Sequence, residues 1–229
     1  MASEPVNETG GTLFVVATPL GNLDDMTFRA VKCLKEVHLI ACEDTRRTAK
    51  LLNHLGIKKP LISCFEHNEL ARIDELLEKV ALGHDVALVS DAGTPTISDP
   101  GFALVRAAHE RGIKVSPVPG PSALVAALSV SGLPTDEFLF AGFPPRTSGA
   151  RRTLFERLKS QTATLIFYES PHRVVESLTD MVAVLGDRAA FLAREVTKLH
   201  EELSSGALSE LVAKLGARSE VLGEIVLVV

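Results

Sequence analysis

The sequence predicts an α/β protein of two domains, the first a mostly parallel sheet with helices on both faces. Three observations carry this. Short, β-rich apolar runs alternate with helix-patterned segments five times through the first half. From about Pro121 the rhythm changes to strands close enough in sequence to pair antiparallel. And 229 residues, at about 150 per domain, make one to two domains with room for a sizeable core. The expected division is 12–121 and 122–229, with 1–11 as a polar, flexible tail.

In the first half, residues 13–17 read as a buried strand, followed by a helix over 27–37 with Phe28, Val31 and Leu34 at helical spacing. Residues 38–42 are a second strand and 45–55 a helix closed by Gly56. Residues 61–65 are strand-like, and 68–82 form a helix with Leu70, Ile73, Leu77 and Val80 on one face. A strand over 86–90, a helix over 102–111 and a strand over 114–118 complete the alternation. In the second half, 122–131 is a helix of small residues, 138–143 a strand, and 144–152 a polar, arginine-containing loop. Residues 154–158 are helical, 163–168 a strand, and 174–185 a helix. Strands are expected over 189–194, 200–205 and 224–229, and a helix over 208–215.

Composition bounds the function. Hydrophobic residues at 46% and charged residues at 23% are those of a folded globular chain. A net charge of −5 excludes a uniformly basic nucleic-acid coat but not a local basic patch. Cys33, Cys42 and Cys64 are odd in number and lack CxxC spacing, so they read as reduced thiols of a cytoplasmic protein, neither a disulfide framework nor a zinc site. The longest apolar run, 123–128, is far short of the roughly 18 residues of a membrane span. No GxxxxGK[ST], GxGxxG after the first strand, or HExxH is present, which disfavours P-loop, dinucleotide and zinc sites. No metal is expected.

Parallel sheets bind ligands beyond the carboxyl ends of their strands, so the loops there should carry the chemistry. Three stand out: Ala17-Thr18-Pro19-Leu20-Gly21-Asn22; Ser90-Asp91-Ala92-Gly93-Thr94-Pro95, continuing to Ser98-Asp99-Pro100-Gly101; and Pro119-Gly120-Pro121-Ser122-Ala123. Gly and Pro let a backbone turn sharply and approach a ligand. Each loop alone reads equally as a turn, with Thr94, Ser98, Asp99 or Ser122 capping a helix. Three at one sheet edge point to a ligand cleft. His172, in Ser170-Pro171-His172-Arg173, is either a helix-start residue holding its loop or a functional group.

With Ala41-Cys42-Glu43-Asp44-Thr45-Arg46, Tyr168-Glu169-Ser170-Pro171-His172-Arg173 and Arg194-Glu195-Val196-Thr197-Lys198, these motifs occur in an order that resembles the ribosomal RNA small subunit methyltransferase I family, within the tetrapyrrole methylase superfamily of class III methyltransferases. The resemblance runs from about Thr12 to Val229. It departs at Thr96, where the family usually has Gly or Ser, and at Leu222, where Lys usually precedes Gly223-Glu224. It implies a methyltransferase that uses S-adenosylmethionine to methylate the ribose 2′-hydroxyl of a cytidine in the decoding region of 16S ribosomal RNA. It also implies a cofactor cleft between the two domains, and a homodimer. Carried over by motif, the cofactor residues are Pro19, Ser90, Asp91, Thr94, Ser122, Ala123, Glu169 and Val196, with much of the contact through backbone. The alternative is the same fold acting on a small tetrapyrrole or corrinoid.

A ribose hydroxyl is a poor nucleophile until it loses a proton, so a base or a polarising cation is expected. The candidates are Asp91, Asp99, Glu169, Glu195 and Lys198, with Glu195 and Lys198 favoured as a pair. The competing reading of that pair is an ion pair anchoring a strand end, and Asp91 reads as orienting the cofactor or capping a helix. Two basic segments could grip phosphates beside the cleft. One, 46–59, includes Arg46 and Arg47; the other, 146–159, includes Arg151 and Arg152. Either could instead be a solvated face. Ten Phe, one Tyr and no Trp favour recognition by shape and backbone over base stacking.

Overall fold

The computed structural model describes residues 10–65 and 67–229, so most of the expected tail, residues 1–9, lies outside the described residues. Gly11 is not part of a tail: it is buried, and its N–H donates to the Val80 carbonyl at 2.9 Å. The chain forms two compact units, one ending at Ser122 and the other Ala123–Val229.

In the first unit five strands, β1 (Thr12–Val16), β2 (Leu39–Cys42), β3 (Leu61–Ser63), β4 (Val86–Val89) and β5 (Lys114–Val118), form one sheet in the order β3-β2-β4-β1-β5. Every pairing is parallel. The helices between them are α1 (Phe28–Glu36), α2 (Thr45–His54), α3 (Glu69–Ala81) and α4 (Phe102–Glu110). Alternate side chains of a strand face opposite ways. Accordingly Val16, Ile40, Cys42, Ala87 and Val89 pack with Ala30, Leu34 and Leu52 of α1 and α2. Leu13, Leu39, Ala41, Val86 and Leu88 pack with Leu76, Leu77 and Leu104 of α3 and α4. Burial on both faces is why the central strands read as unbroken apolar runs. Thr27 caps α1 through the Ala30 N–H, and Asp44 caps α2 through the Arg46 N–H.

The second unit is a mixed sheet in the order β6-β7-β10-β8-β9. Its strands are β6 (Phe138–Phe140), β7 (Thr164–Glu169), β8 (Ala189–Arg194), β9 (Glu202–Ala207) and β10 (Ile225–Val228). Only the β6–β7 pair is parallel. One face packs on α6 (Ser148–Leu158), α7 (Val174–Leu185) and α8 (Leu208–Gly216) through Phe155, Leu178, Met181 and Leu211. The other packs on α5 (Ala123–Ser131) through Leu124, Ala127 and Leu128.

Four elements differ from expectation by two residues or more, β3 among them, which ends at Ser63 and not at residue 65. The helix expected over 154–158 begins at Ser148, because the residue that opens its buried face is Arg151, 1% exposed, and not an apolar one. Strand β6 stops at Phe140, three residues short of expectation, where Gly142 takes a positive φ. Strand β9 lies two residues later than expected, its register set by β8.

Candidate functional site

The rim of the first unit is built at neighbouring strands. β1 lies between β4 and β5, and α1 after β1 and α4 after β4 cover opposite faces, so the chain diverges there at the carboxyl edge. The three predicted loops meet at that point. Thr18 and Gly93 exchange backbone hydrogen bonds, N to O at 2.9 and 3.0 Å, and the Thr18 hydroxyl donates to the Ser90 carbonyl at 3.3 Å. The Thr94 hydroxyl donates to the Pro121 carbonyl at 3.1 Å. Gly93 has φ 78°, and a Cβ there would lie 3.2 Å from Leu20, so this crossing of loops requires glycine. Pro19, Ser90, Asp91, Thr94 and Ser122 are thus brought to one rim, with Pro19 and Ser90 buried and the other three partly exposed.

Asp91 is the polar centre of that rim. One of its oxygens accepts from the Asp44 N–H at 3.1 Å, and the other lies 3.1 Å from Arg47. The Asp91 N–H in turn donates to Glu43 at 3.4 Å. Burial, and then the Asp91 charge, push the Glu43 carboxyl above its ordinary range. Arg46 closes a two-pronged bond onto Asp44, with Nε at 3.2 Å and its terminal nitrogen at 2.9 Å, and holds that carboxyl at about 2. Arg46 and Arg47 are exposed, but each already faces a carboxylate.

In the second unit Ala123 and Val196 pack with Tyr168 at the α5 face of the sheet. Glu195 and Lys198 do meet. Lys198 Nζ donates to Glu195 Oε1 at 2.9 Å and to Glu224 Oε2 at 3.0 Å, and the Glu224 N–H donates to the same Glu195 oxygen at 2.9 Å. Burial pushes the Glu195 carboxyl up, but the bonds from Lys198 and the Glu224 N–H outweigh it and hold it below its ordinary range. For Lys198 burial acts downward, and the bonds to the two glutamates hold the ammonium above its ordinary range. Glu195 and Thr197 both take left-handed φ, 54° and 68°. Gly223, at φ 93°, lies so close that any Cβ would overlap the Glu195 side chain. The pair therefore sits on a strained turn that its surroundings over-determine.

Two expected site residues are placed otherwise. Arg151 is no phosphate ligand: it is 1% exposed and paired with Asp180 at 2.7 Å, with Glu176 a further 3.7 Å partner. Asp180 also accepts from Arg152 Nε at 2.6 Å and Ser148 Oγ at 2.9 Å. The Glu169 side chain, 2% exposed, is likewise occupied. It accepts from the Ser170 N–H at 2.6 Å, from Arg173 at 2.8 Å and from the Ser177 hydroxyl. Only its backbone could meet a ligand. Arg152 remains half exposed, and His172 is exposed. Sequence reasoning missed Glu43, Asp180 and Glu224. Glu43 lies within the motif Ala41-Cys42-Glu43-Asp44-Thr45-Arg46 and Glu224 beside Gly223, but neither position alone shows what it contacts, and the partners of Asp180 and Glu224 lie 26 to 32 residues away.

Among the described residues no helix is long and apolar enough to cross a membrane. A sequence profile of the tetrapyrrole (corrin/porphyrin) methylases matches residues 12–212. The chain is 53% identical over 204 residues to ribosomal RNA small subunit methyltransferase I of Pseudomonas aeruginosa, covering 89% of this chain and 72% of that protein. It is 50% identical over 218 residues to the protein of the same name from Thermotoga maritima, covering 95% and 97%. Among solved structures, the methyltransferase CobJ superposes with a TM-score of 0.70 at 22% identity, over 95% of this chain and 93% of that one. Uroporphyrin-III-C-methyltransferase from Thermus thermophilus gives 0.64 at 19%, over 95% and 94%. These two likenesses concern the fold. With half its residues shared over nearly the full length of a relative, and with the tied loops in place, the chain belongs to the ribosomal RNA small subunit methyltransferase I family of the tetrapyrrole methylases.

Proposed function

We propose that this chain is an S-adenosylmethionine-dependent ribosomal RNA methyltransferase whose acceptor is the ribose 2′-hydroxyl of a cytidine in the decoding region of 16S ribosomal RNA. The observation that carries the reading is the rim where the loops after β1, β4 and β5 are tied together by Thr18–Gly93 and Thr94–Pro121. Its chemistry suits the cofactor. Backbone groups and the Asp91 carboxylate offer hydrogen-bond partners to hydroxyl and ammonium groups and a negative field to a sulfonium. Pro19, Ser90, Asp91, Thr94 and Ser122 would hold it from the first unit. Ala123, Val196 and the backbone of Glu169 would contribute from the second.

When bound, S-adenosylmethionine supplies a methyl group already activated on sulfur. The protein's part is to hold the acceptor oxygen in line and to manage its proton. Lys198, whose ammonium is held above its ordinary range, stays charged at neutral pH, so its role is to stabilise the developing alkoxide and not to act as a base, and the hydroxyl proton passes to solvent water. Glu195 and Glu224 aim it. Exposed Arg46, Arg47 and Arg152 would contact phosphates. The enzyme works as a cytoplasmic homodimer.

The test is incubation with tritiated cofactor and small ribosomal subunits from cells lacking this protein, followed by mass mapping of the RNA. A single new ribose methyl on a cytidine is expected. Label entering only a porphyrinoid acceptor would reverse the substrate assignment. Lys198→Met is expected to lower kcat about a hundredfold, with cofactor affinity by calorimetry unmoved. A full-rate variant would return the pair to a purely structural role.

A further inference from the structure

The segment 141–147, between β6 and α6, is irregular in backbone yet held at every second carbonyl. The Gly142 carbonyl accepts from the Tyr168 N–H at 3.1 Å. The Pro144 carbonyl accepts from Arg173 at 3.5 Å, and the Arg146 carbonyl from Arg151 at 3.2 Å. Each arginine is itself anchored, Arg173 on buried Glu169 and Arg151 on buried Asp180. Two buried carboxylates and two arginines are thus committed to fixing one loop. What that loop presents is Phe143, 54% exposed, and the exposed side chain of Arg146. The Phe143 ring makes a T-shaped contact with Tyr168, centroids 5.6 Å apart, and Tyr168 makes another with Phe140 at 4.8 Å. The ring is therefore oriented but not buried. Half-exposed Arg152, bound to Asp180 through Nε, lies one turn into the adjoining helix.

An oriented, solvent-facing aromatic ring beside arginines on a rigid loop is what single-stranded RNA recognition needs, with a platform for an unpaired base and cations for the flanking phosphates. We propose that the 141–147 loop is the RNA-gripping arm of the second unit. In it Phe143 stacks on an unpaired base of the substrate and Arg146 and Arg152 meet phosphates, while Glu169–Arg173 and Asp180–Arg151 are positioning pairs. This rests on the ribosomal RNA reading above, and it adds a stacking contact where composition favours recognition by shape and backbone.

The experiment measures methylation kinetics and filter binding of undermodified small ribosomal subunits, with full-length protein, for Phe143→Leu, Phe143→Trp and Arg146→Ala. Leucine keeps the packing on Tyr168 and removes the flat ring. Phe143→Leu is expected to weaken subunit binding and raise KM for subunits about tenfold, with its thermal midpoint and its S-adenosylmethionine affinity at the wild-type values. Phe143→Trp should restore binding. Arg146→Ala should reduce the slope of log affinity against log salt by about one. A Phe143→Leu protein that binds subunits within twofold of wild type, or an Arg146→Ala protein with an unchanged salt slope, overturns the proposal. So does a Phe143→Leu loss accompanied by an equal loss of cofactor affinity, which would place the ring at the cofactor. Wild-type protein that methylates no subunit overturns the underlying RNA reading and is read separately.

Discussion

Thr96 holds a φ of 75° and Ser98 one of 62°, both in the loop that follows β4. A β-branched residue in this left-handed region is strained by its own Cβ and Cγ atoms. The family resemblance marks Thr96 as a position where Gly or Ser is usual, and the backbone supplies the physical reason. Thr96→Gly removes the strain and gives back part of the gain as unfolded-chain entropy. We expect a net stabilisation of about 1 kcal/mol in urea unfolding, and destabilisation would mean that the Thr96 side chain contributes packing that outweighs its strain. Gly223 is the mirror case, since φ 93° and the Glu195 side chain against it leave no room for a Cβ. Gly223→Ala is expected to displace Glu195, lower methyl transfer more than tenfold and leave cofactor affinity near wild type; unchanged turnover would sever Glu195 from the chemistry. At this scale the sequence shows where chemistry sits but not always which atoms do it. Gly and Pro mark the loops because a tight turn demands those residues locally. That Arg151 and Glu169 are sealed inside could not be read, because burial is decided by Asp180, Arg173 and Ser177 arriving from another element.

Helix α6 shows the same limit one level up. Apolar periodicity finds its second half through Leu154, Phe155 and Leu158, but its buried face begins with Arg151. The charge is tolerated because Asp180 on α7 takes Arg151, Arg152 and Ser148 together. Burial raises the Asp180 carboxyl, and those three bonds more than reverse it, leaving it below its ordinary range. Strands β1, β2, β4 and β10 were legible for the opposite reason: buried on both faces, they need no partner's charge to explain their composition. Asp180→Ala leaves the Arg151 guanidinium buried without its main partner, which is expected to cost about 3–5 kcal/mol. Chemical denaturation checks this, and Arg151→Met with Asp180→Leu should recover most of the loss. If the double variant is no more stable than Asp180→Ala, the pair contributes more than charge compensation.

The two units differ in how their carboxylates respond to acid. In the second, Asp180 and Glu202 are both held below the ordinary range, Glu202 chiefly by its hydrogen bonds with Arg218, against burial, and then by Lys214 and Arg194. Glu195 is lowered by Lys198 against burial, and Asp187, which is exposed, is lowered by Ser209. Groups with depressed folded-state pKa bind fewer protons folded than unfolded. Their stabilisation is therefore complete above the unfolded carboxylate range, about pH 4 to 4.5, and is lost as pH falls through the folded values. In the first unit, among the described residues, partly buried Glu43 is raised by burial, so acid relieves it, whereas Asp44, its side chain 25% exposed, is held at about 2 by Arg46 and loses that stabilisation in acid. With three lowered carboxylates that are buried or partly buried, Asp180, Glu195 and Glu202, against Asp44 alone in the first unit, the second unit should melt first as pH drops below about 4. The chain carries its own reporter, since Tyr168 is its single tyrosine, no tryptophan is present, and Tyr168 lies in β7 of the second unit. Tyrosine emission is expected to change at a higher pH than the last loss of far-ultraviolet helical signal, leaving an intermediate whose parallel sheet survives. Coincident transitions would instead mean that the two units unfold as one cooperative body, with the acid sensitivity of the second unit shared by the first.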